Sequence, residues 1–103
     1  MYYRFEYRES FWQDYLDALS YIANVLKNPI AARELDGAFE QEKLTLLSFP
    51  KADRPHASPP EVDEDYDALP IKNYLAFYVV RDGVIVFRRF LYSRSALHDR
   101  FRE

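Results

Sequence analysis

The first residues of the chain alternate between apolar and charged side chains. Tyr3, Phe5 and Tyr7 are each followed by a charged residue, and this period of two is typical of a strand with one buried face. From Ser10 onward, apolar residues recur at steps of three and four and predict an amphipathic helix, with Ser10 as N-cap and Gln13 at the capping-box position. The inward residues predicted for this helix are Trp12, Tyr15, Leu16, Leu19, Ile22, Ala23 and Leu26.

A second helix is predicted to follow the first almost directly. Asn28-Pro29 ends one helix and begins the next, because proline is tolerated in the first helical turn but not in the interior. The second helix is predicted from about Ile30 to Leu47, with Ala32, Leu35, Phe39, Leu46 and Leu47 facing inward. Since the connection is so short, the two helices are expected to lie antiparallel as an αα-hairpin.

The stretch from Ser48 to Asp67 is predicted to be a surface loop without regular structure. It contains four prolines followed by five acidic residues, and proline cannot donate a hydrogen bond while like charges repel. His56, which lies in this stretch, is interpreted as a surface residue. The acidic residues lack the ordered spacing of a calcium-binding loop, so no metal site is expected.

The last third of the chain predicts three strands. Ala68 to Ile71 is a short strand, and Pro70 marks it as an edge. Two apolar runs follow, Tyr74 to Val80 and Val84 to Leu91. Asp82-Gly83 between them predicts a two-residue hairpin turn, because glycine accepts the positive φ of a type I′ turn.

Two adjacent arginines lie in the second hairpin strand. The pairing expected from the turn places Arg89 opposite Ala76 and Arg88 opposite Phe77. Adjacent strand residues point to opposite faces, so one arginine is predicted to face the helices and the other the open side of the sheet. Either both pair with carboxylates or extend to solvent, or one lines a concave face that binds a target.

The predicted order β-α-α-β-β-β indicates an α+β fold. The N-terminal strand and the αα-hairpin are expected to pack on one face of a mostly antiparallel four-stranded sheet, with a short C-terminal helical turn from Ser95 to Phe101. The 103 residues are enough for a single domain, 1–103. The other face of the hairpin, Tyr74 to Leu91, is expected to remain open to a protein ligand.

Composition and charge narrow the possible functions. The chain has no cysteine, which excludes disulfides, thiolate metal sites and cysteine nucleophiles. No apolar run is long enough to span a bilayer and the N-terminus is unlike a signal peptide, so a cytoplasmic protein without membrane contact is expected. Residues 71–103 carry a net charge of +4 and residues 1–70 carry −7. Any contact with nucleic acid is therefore expected through the C-terminal third.

Several motifs in this order resemble the RelE/ParE superfamily, the toxins of type II toxin–antitoxin systems. They are Asp14-Tyr15-Leu16, Ser20-Tyr21-Ile22-Ala23, the run from Asn28-Pro29 to Leu35, Leu46 to Pro50, Asn73 to Tyr78, Asp82-Gly83-Val84 and Arg89 to Arg94. The resemblance covers nearly the whole chain. It implies growth arrest, either by ribosome-dependent mRNA cleavage, as in RelE-type members, or by inhibition of DNA gyrase, as in ParE-type members.

The resemblance also implies a partner. In this superfamily the antitoxin is a separate short protein whose helical, partly disordered tail wraps the toxin, and a toxin–antitoxin hetero-oligomer is expected. The apolar open face of the hairpin is the predicted docking surface for such an amphipathic segment. No cofactor is expected. The alternative from a different class is a degenerate, non-toxic member that acts only as an antitoxin-binding or co-repressor protein.

The residues that a RelE-type ribonuclease would need are incomplete in this sequence. RelE-type enzymes carry an arginine at the position of Leu75, and lysines in the preceding strand, where this chain has Asp67, Ala68 and Leu69. Cleavage of RNA needs a base, an acid and cations for the phosphorane charge. The enzymatic activity therefore stays open.

Three C-terminal residues are the candidates for catalysis. The resemblance implies a phosphate-binding role for Arg94, whose structural alternative is a pair with Asp99. His98 is a candidate acid or base or an ordinary surface histidine, and Tyr92 is the third candidate. The candidates for target or nucleic-acid binding are Arg88, Arg89, Lys72 and Arg100.

Overall fold

The computed structural model describes residues 3–48, 56–57 and 66–93. Its elements are strand β1 (Arg4–Tyr7), helix α1 (Glu9–Ser20), a π-helical turn (Tyr21–Val25), helix α2 (Pro29–Ser48), and strands β2 (His56–Ala57), β3 (Tyr66–Ile71), β4 (Tyr74–Arg81) and β5 (Val84–Tyr92). The predicted α+β order is confirmed. In the part of the chain that the structure describes, no helix is both long and apolar enough to cross a membrane.

The strands form one mixed sheet in the order β1-β5-β4-β3-β2. β1 runs parallel to β5, and the other neighbours are antiparallel. The prediction of a structureless stretch from Ser48 to Asp67 is wrong at two places. His56 and Ala57 pair with Asp67 and Tyr66, so that β3 begins two residues earlier than predicted and has a backbone partner on its outer side.

The main core lies between the helices and one face of the sheet. Aromatic rings dominate it, and Phe11 of α1 is at its centre, within 6 Å of the rings of Tyr15, Phe39, Phe87 and Phe90. The buried members are Phe11, Tyr15, Ala18, Leu35, Phe39, Leu46, Leu69, Ile71, Ala76, Tyr78, Ile85, Phe87 and Phe90. Four of the five inward residues predicted for α2 are buried, and Leu47 is half-buried.

Helix α1 presents a different face to the core from the one predicted. Trp12 is 42% exposed and Leu16 is 57% exposed, whereas Phe11 and Ala18 are buried with Tyr15. Ser10 does not cap the helix. Its Oγ donates to the Arg88 carbonyl oxygen at 2.7 Å, which anchors the first turn to β5 and directs Phe11 onto the sheet.

The αα-hairpin turns at the predicted place. After α1, the π-helical turn ends with the Leu26 amide donating to the Tyr21 carbonyl at 3.0 Å, and Lys27 adopts a positive φ of 55°. The Asn28 side-chain oxygen accepts the Ala31 amide at 3.1 Å, so that Asn28 caps α2. Asn28-Pro29 therefore begins the second helix as predicted.

A β-bulge changes the register of the hairpin. Near the turn, Val80 pairs with Ile85 and Tyr78 with Phe87, but the register shifts between Phe77 and Tyr78. Beyond the shift, Arg89 lies opposite Phe77 instead of Ala76, and Arg88 is the extra residue. The predicted pairing is wrong there because a bulge inserts one residue into one strand only.

The second face of the sheet, away from the helices, is not an open surface. Tyr66, Ala68, Leu75 and Phe77 form a second buried cluster, against which Val79 and Leu91 pack. All four buried members are at most 7% exposed. The prediction that this face stays available to a protein ligand is therefore wrong.

Candidate functional site

The outer edge of β5 contacts β1 up to Phe87 and helix α1 beyond it. β1 ends at Tyr7, which lies opposite Phe87. Past this point the Arg8 amide donates to the Phe87 carbonyl at 2.9 Å. The Phe90 amide, two residues past the bulge, donates to Oδ2 of Asp14 at 3.0 Å. Side chains of α1 thus satisfy backbone groups of β5 that a strand would otherwise pair.

The bulge changes the orientation predicted for the two arginines of β5. Arg89 lies opposite Phe77 of the second buried cluster, and the next residue, Phe90, packs in the main core. The prediction that Arg88 and Arg89 point to opposite faces is therefore wrong, because the bulge interrupts the alternation of side chains along β5.

Arg89 binds Asp14 of α1 through two nitrogens of its guanidinium, Nε to Oδ2 at 2.6 Å and Nη2 to Oδ1 at 3.2 Å. The guanidinium of Arg88 lies 5.3 Å from the ring centre of Tyr66, which belongs to the second buried cluster. Arg89 is therefore committed to a structural ion pair, and Arg88 covers the rim of an apolar cluster.

Beside the Asp14–Arg89 pair lies an open groove between the helical hairpin and the end of the β-hairpin. We call it the α1–β5 groove, and it has a volume of about 790 Å³. Its lining residues are Asp14, Asp17, Ala18, Tyr21, Ile22, Leu26, Ala31, Leu35, Lys72, Asn73, Tyr74, Phe90, Leu91 and Tyr92. Most of them are apolar or aromatic, and the groove opens to solvent. Such a groove suits an apolar segment of a protein better than a small polar substrate.

Stacked aromatic rings form the β-hairpin side of the groove. Tyr74 stacks on Phe90 with ring centres 5.0 Å apart and contacts Tyr92 edge-on at 5.5 Å. Burial raises the pKa of Tyr74, and the nearby phenol groups of Tyr92 and Tyr21 raise it further. The Tyr74 hydroxyl is therefore neutral at physiological pH and can donate a hydrogen bond to a ligand in the groove.

Exposed apolar side chains continue from the groove to the tip of the helical hairpin. Tyr21, Leu26 and Tyr92 line the groove and are all exposed, and Val25 and Ile30 extend the patch beyond it. A contiguous apolar patch on a small protein marks a surface that binds a partner. Two exposed charges lie at its borders, Asp17 on α1 and Lys72 in the β3–β4 turn.

Among the predicted site residues that the structure describes, two lie together. Tyr92 and Lys72 both line the α1–β5 groove, whereas Arg88 and Arg89 make the contacts described above. Arg94, His98 and Arg100 lie outside the described residues, so their predicted roles stay predictions.

The sequence did not indicate Tyr21 and Leu26 as surface residues. One feature of the sequence could have indicated exposed apolar residues in this segment, namely that it contains too many of them. With Phe11 included, the first helical segment carries more of them than one helix face can bury, so some had to be exposed.

The positions at which RelE-type enzymes carry cations are apolar or enclosed here. Leu75 and Ala68 belong to the second buried cluster, Leu69 belongs to the main core, and Asp67 is half-buried. No described residue places an exposed cation at these positions. Among residues 3–48, 56–57 and 66–93 there is also no group of three histidine or acidic side chains that could hold a metal ion.

Comparison with known proteins identifies a family and a similar fold. The family model described as "ParE toxin of type II toxin-antitoxin system, parDE" matches residues 5–97. The fold is also similar to that of a chain in the solved structure of the chromosomal ParDE TA system from P. aeruginosa, with a TM-score of 0.66 and 14% sequence identity, over 87% of this chain and 95% of that chain. No curated protein sequence matches significantly.

Proposed function

Because this chain belongs to the ParE toxin family of type II toxin–antitoxin systems, we propose that it arrests growth by binding a protein target, DNA gyrase, and that its antitoxin neutralises it by occupying the α1–β5 groove. The observation that carries the choice of a protein target is the apolar, buried character of the positions where a ribonuclease of this fold needs cations.

A buried leucine cannot stabilise the charge of a cleavage transition state. Removing a single preorganised donor from an oxyanion site costs about 10²–10³ in rate. In this chain, the Leu75 and Ala68 side chains are enclosed by apolar neighbours. Of the two arginines of β5, Arg88 lies over Tyr66 and Arg89 is bound by Asp14. This arrangement favours a toxin that acts through binding.

The groove supports the assignment of the antitoxin site. An amphipathic helix binds in an apolar groove through side chains at every third or fourth position. The exposed rings of Tyr21 and Tyr92 stand on the groove with the exposed Leu26, and Tyr and Leu side chains of this kind provide most of the apolar area that a docked helix would cover. The groove also replaces the second face of the sheet as the docking surface, since that face is buried.

Three measurements, one in cells and two with the purified chain, test the proposal. Its induced expression is expected to arrest bacterial growth, its addition is expected to inhibit supercoiling by purified gyrase, and a translating extract is expected to keep its transcripts intact. Cleaved transcripts with unaffected supercoiling would overturn the gyrase assignment and restore the ribonuclease, with Arg94, His98 and Tyr92 as its candidates. Unimpaired growth would instead support a non-toxic binding protein.

Arg94→Ala separates the two toxic activities. For a ribonuclease, this substitution is expected to abolish growth arrest while antitoxin binding persists, because arginine is the side chain best suited to a phosphate. For the proposed gyrase inhibitor, growth arrest by Arg94→Ala is expected to equal that of the unmodified chain. Arg33→Ala, at an exposed position of α2 outside the groove, serves as the matched arginine control.

A further inference from the structure

β1 is the last strand of the sheet and has an unpaired outer edge. The Arg4 amide donates to the Gly83 carbonyl at 3.0 Å and the Arg8 amide to the Phe87 carbonyl at 2.9 Å. Backbone groups of successive strand residues point to opposite edges, so the N–H and C=O groups of Tyr3, Phe5 and Tyr7 point away from β5. Among the described residues, none pairs with these outward groups.

The side chains along this edge divide by face. Tyr3, Phe5 and Tyr7 pack against the main core. Arg4 and Glu6 lie on the opposite face, where they form an ion pair at 3.0 Å, with the Arg4 side chain exposed and the Glu6 side chain partly exposed. The edge therefore offers a short row of backbone donors and acceptors, flanked on one face by one positive and one negative charge.

We propose that β1 pairs antiparallel with β1 of a second copy of this chain, so that two sheets join into one across a two-fold axis. The register that centres the pair on Phe5 brings Tyr3 opposite Tyr7 of the second copy. All outward N–H and C=O groups then face each other, because residues 3, 5 and 7 of both copies form the hydrogen-bonded positions of the ladder.

The charges of Arg4 and Glu6 favour this register over the two registers shifted in either direction. With Phe5 at the centre, Arg4 lies opposite Glu6 of the second copy, twice by symmetry, at the closely spaced positions where cross-strand side chains interact best. A shift in one direction sets Arg4 against Arg4, and a shift in the other sets Glu6 against Glu6. Like charges directly opposite each other are unfavourable. Charged edge strands usually prevent pairing, but this alternation of charge is complementary to itself.

Helix α2 adds an apolar contact on the other face. The ammonium group of Lys43 lies within 5.3 Å of the ring centres of both Phe5 and Tyr7, which places this part of α2 above β1. Leu44 follows it and is 60% exposed, on the same flank as Glu40, the ion-pair partner of Lys43. Pairing of two β1 strands brings the two α2 helices side by side, where Leu44 loses solvent contact.

The proposal is independent of the toxin's target and of the antitoxin groove, because no residue of β1 lines the α1–β5 groove. A paired strand and one leucine per copy form a small interface, so a weak, concentration-dependent dimer is expected rather than an obligate one.

Charge reversal with rescue tests the register. In sedimentation equilibrium of the purified chain, the unmodified protein is expected to dimerise as its concentration rises. Arg4→Glu and Glu6→Arg, singly, are each expected to weaken the dimer at least about tenfold, since each converts two attractive pairs into repulsive ones. The double variant Arg4→Glu/Glu6→Arg restores opposite charges at every pair and is expected to dimerise like the unmodified chain. Arg33→Glu, an exposed reversal on α2, is expected to have no effect.

Several outcomes would overturn the proposal. These are a chain that stays monomeric at all concentrations, single reversals that leave dimerisation intact, and a double variant that fails to recover it while retaining the unmodified far-ultraviolet circular dichroism spectrum and melting temperature. Loss of antitoxin binding in Arg4→Glu, in a chain that does not self-associate, would assign the edge to the antitoxin instead. Leu44→Glu gives a second check, because it weakens the proposed dimer without touching the strand.

Discussion

Asp14 of α1 holds Arg89 of β5 through two hydrogen bonds and accepts the Phe90 backbone amide with the same carboxylate. The two side chains are 16% and 24% exposed. One carboxylate therefore neutralises the charge brought into the sheet at the bulge and completes the edge of β5 where β1 has ended. The pair also borders the α1–β5 groove, and its geometry fixes how far α1 lies from the stacked rings of Tyr74 and Phe90.

Asp14→Asn is expected to destabilise the fold by about 2 kcal/mol, because it removes the negative charge that accepts hydrogen bonds from the Arg89 guanidinium and the Phe90 amide. The measurement is urea denaturation followed by circular dichroism. Asp17→Asn, one helical turn later on the same helix and exposed, is the matched control and is expected to stay within about 0.5 kcal/mol of the unmodified chain. Equal effects of the two substitutions would show that the Asp14–Arg89 pair contributes no stability.

Phe11→Ala is expected to cost about 3–5 kcal/mol, since it empties the centre of the aromatic core. Trp12→Ala removes a larger side chain from the next position. It is expected to cost far less, because Trp12 remains 42% exposed. Thermal or urea unfolding of both variants checks which face of α1 is buried. If Trp12→Ala proved the more damaging, the helix face predicted from the sequence would be correct and the face seen in the structure would be wrong.

Leu26→Asp is expected to weaken antitoxin binding about 30-fold or more, because it places a charge in the apolar lining of the groove and a central contact residue is worth about 2 kcal/mol. Leu16→Asp makes the same substitution at a similarly exposed residue, 57% against 55%, that does not line the groove. Titration calorimetry with the cognate antitoxin compares the two. Equal loss in both variants would contradict the groove as the antitoxin site.

Stability is expected to fall at alkaline pH. Burial raises the pKa of Tyr15 above its usual 10.0, and the hydrogen bond to Asp36 raises it further. For Lys43, burial lowers the pKa, but hydrogen bonds to Tyr7 and Glu40 outweigh it, so that the net direction is upward. A group whose pKa is higher in the folded than in the unfolded state stabilises the fold fully at pH values below its unfolded pKa. This stabilisation is lost as the pH rises from the unfolded pKa through the folded pKa.

The melting temperature of the unmodified chain is therefore expected to drop from about pH 10 upward. Tyr15→Phe removes one of the three groups whose pKa is raised, and Lys43 and Tyr74 remain. It should start from a lower melting temperature, because the contact with Asp36 is gone, but decline less steeply as the pH rises. A decline as steep as that of the unmodified chain would mean that Tyr15 does not contribute to the pH dependence.

The sequence by itself determined the order and type of the main elements. The period-two pattern of β1, the Asn28-Pro29 break and the Asp82-Gly83 turn each act through backbone chemistry within a few residues, and the structure has all three where they were predicted.

Only the tertiary structure decided which face of a helix is buried and in which register a strand pairs, where the sequence pattern allowed more than one answer. Trp12 and Leu16 fit the helical period as well as Phe11 and Ala18 do, and α1 buries the second pair because the Ser10–Arg88 and Asp14–Phe90 hydrogen bonds fix its rotation on β5. The bulge at Arg88 and the burial of Leu75 depend in the same way on partners far away in the sequence. The groove arises because these choices leave Tyr21, Leu26 and Tyr92 exposed on neighbouring elements, a juxtaposition that no local pattern can encode.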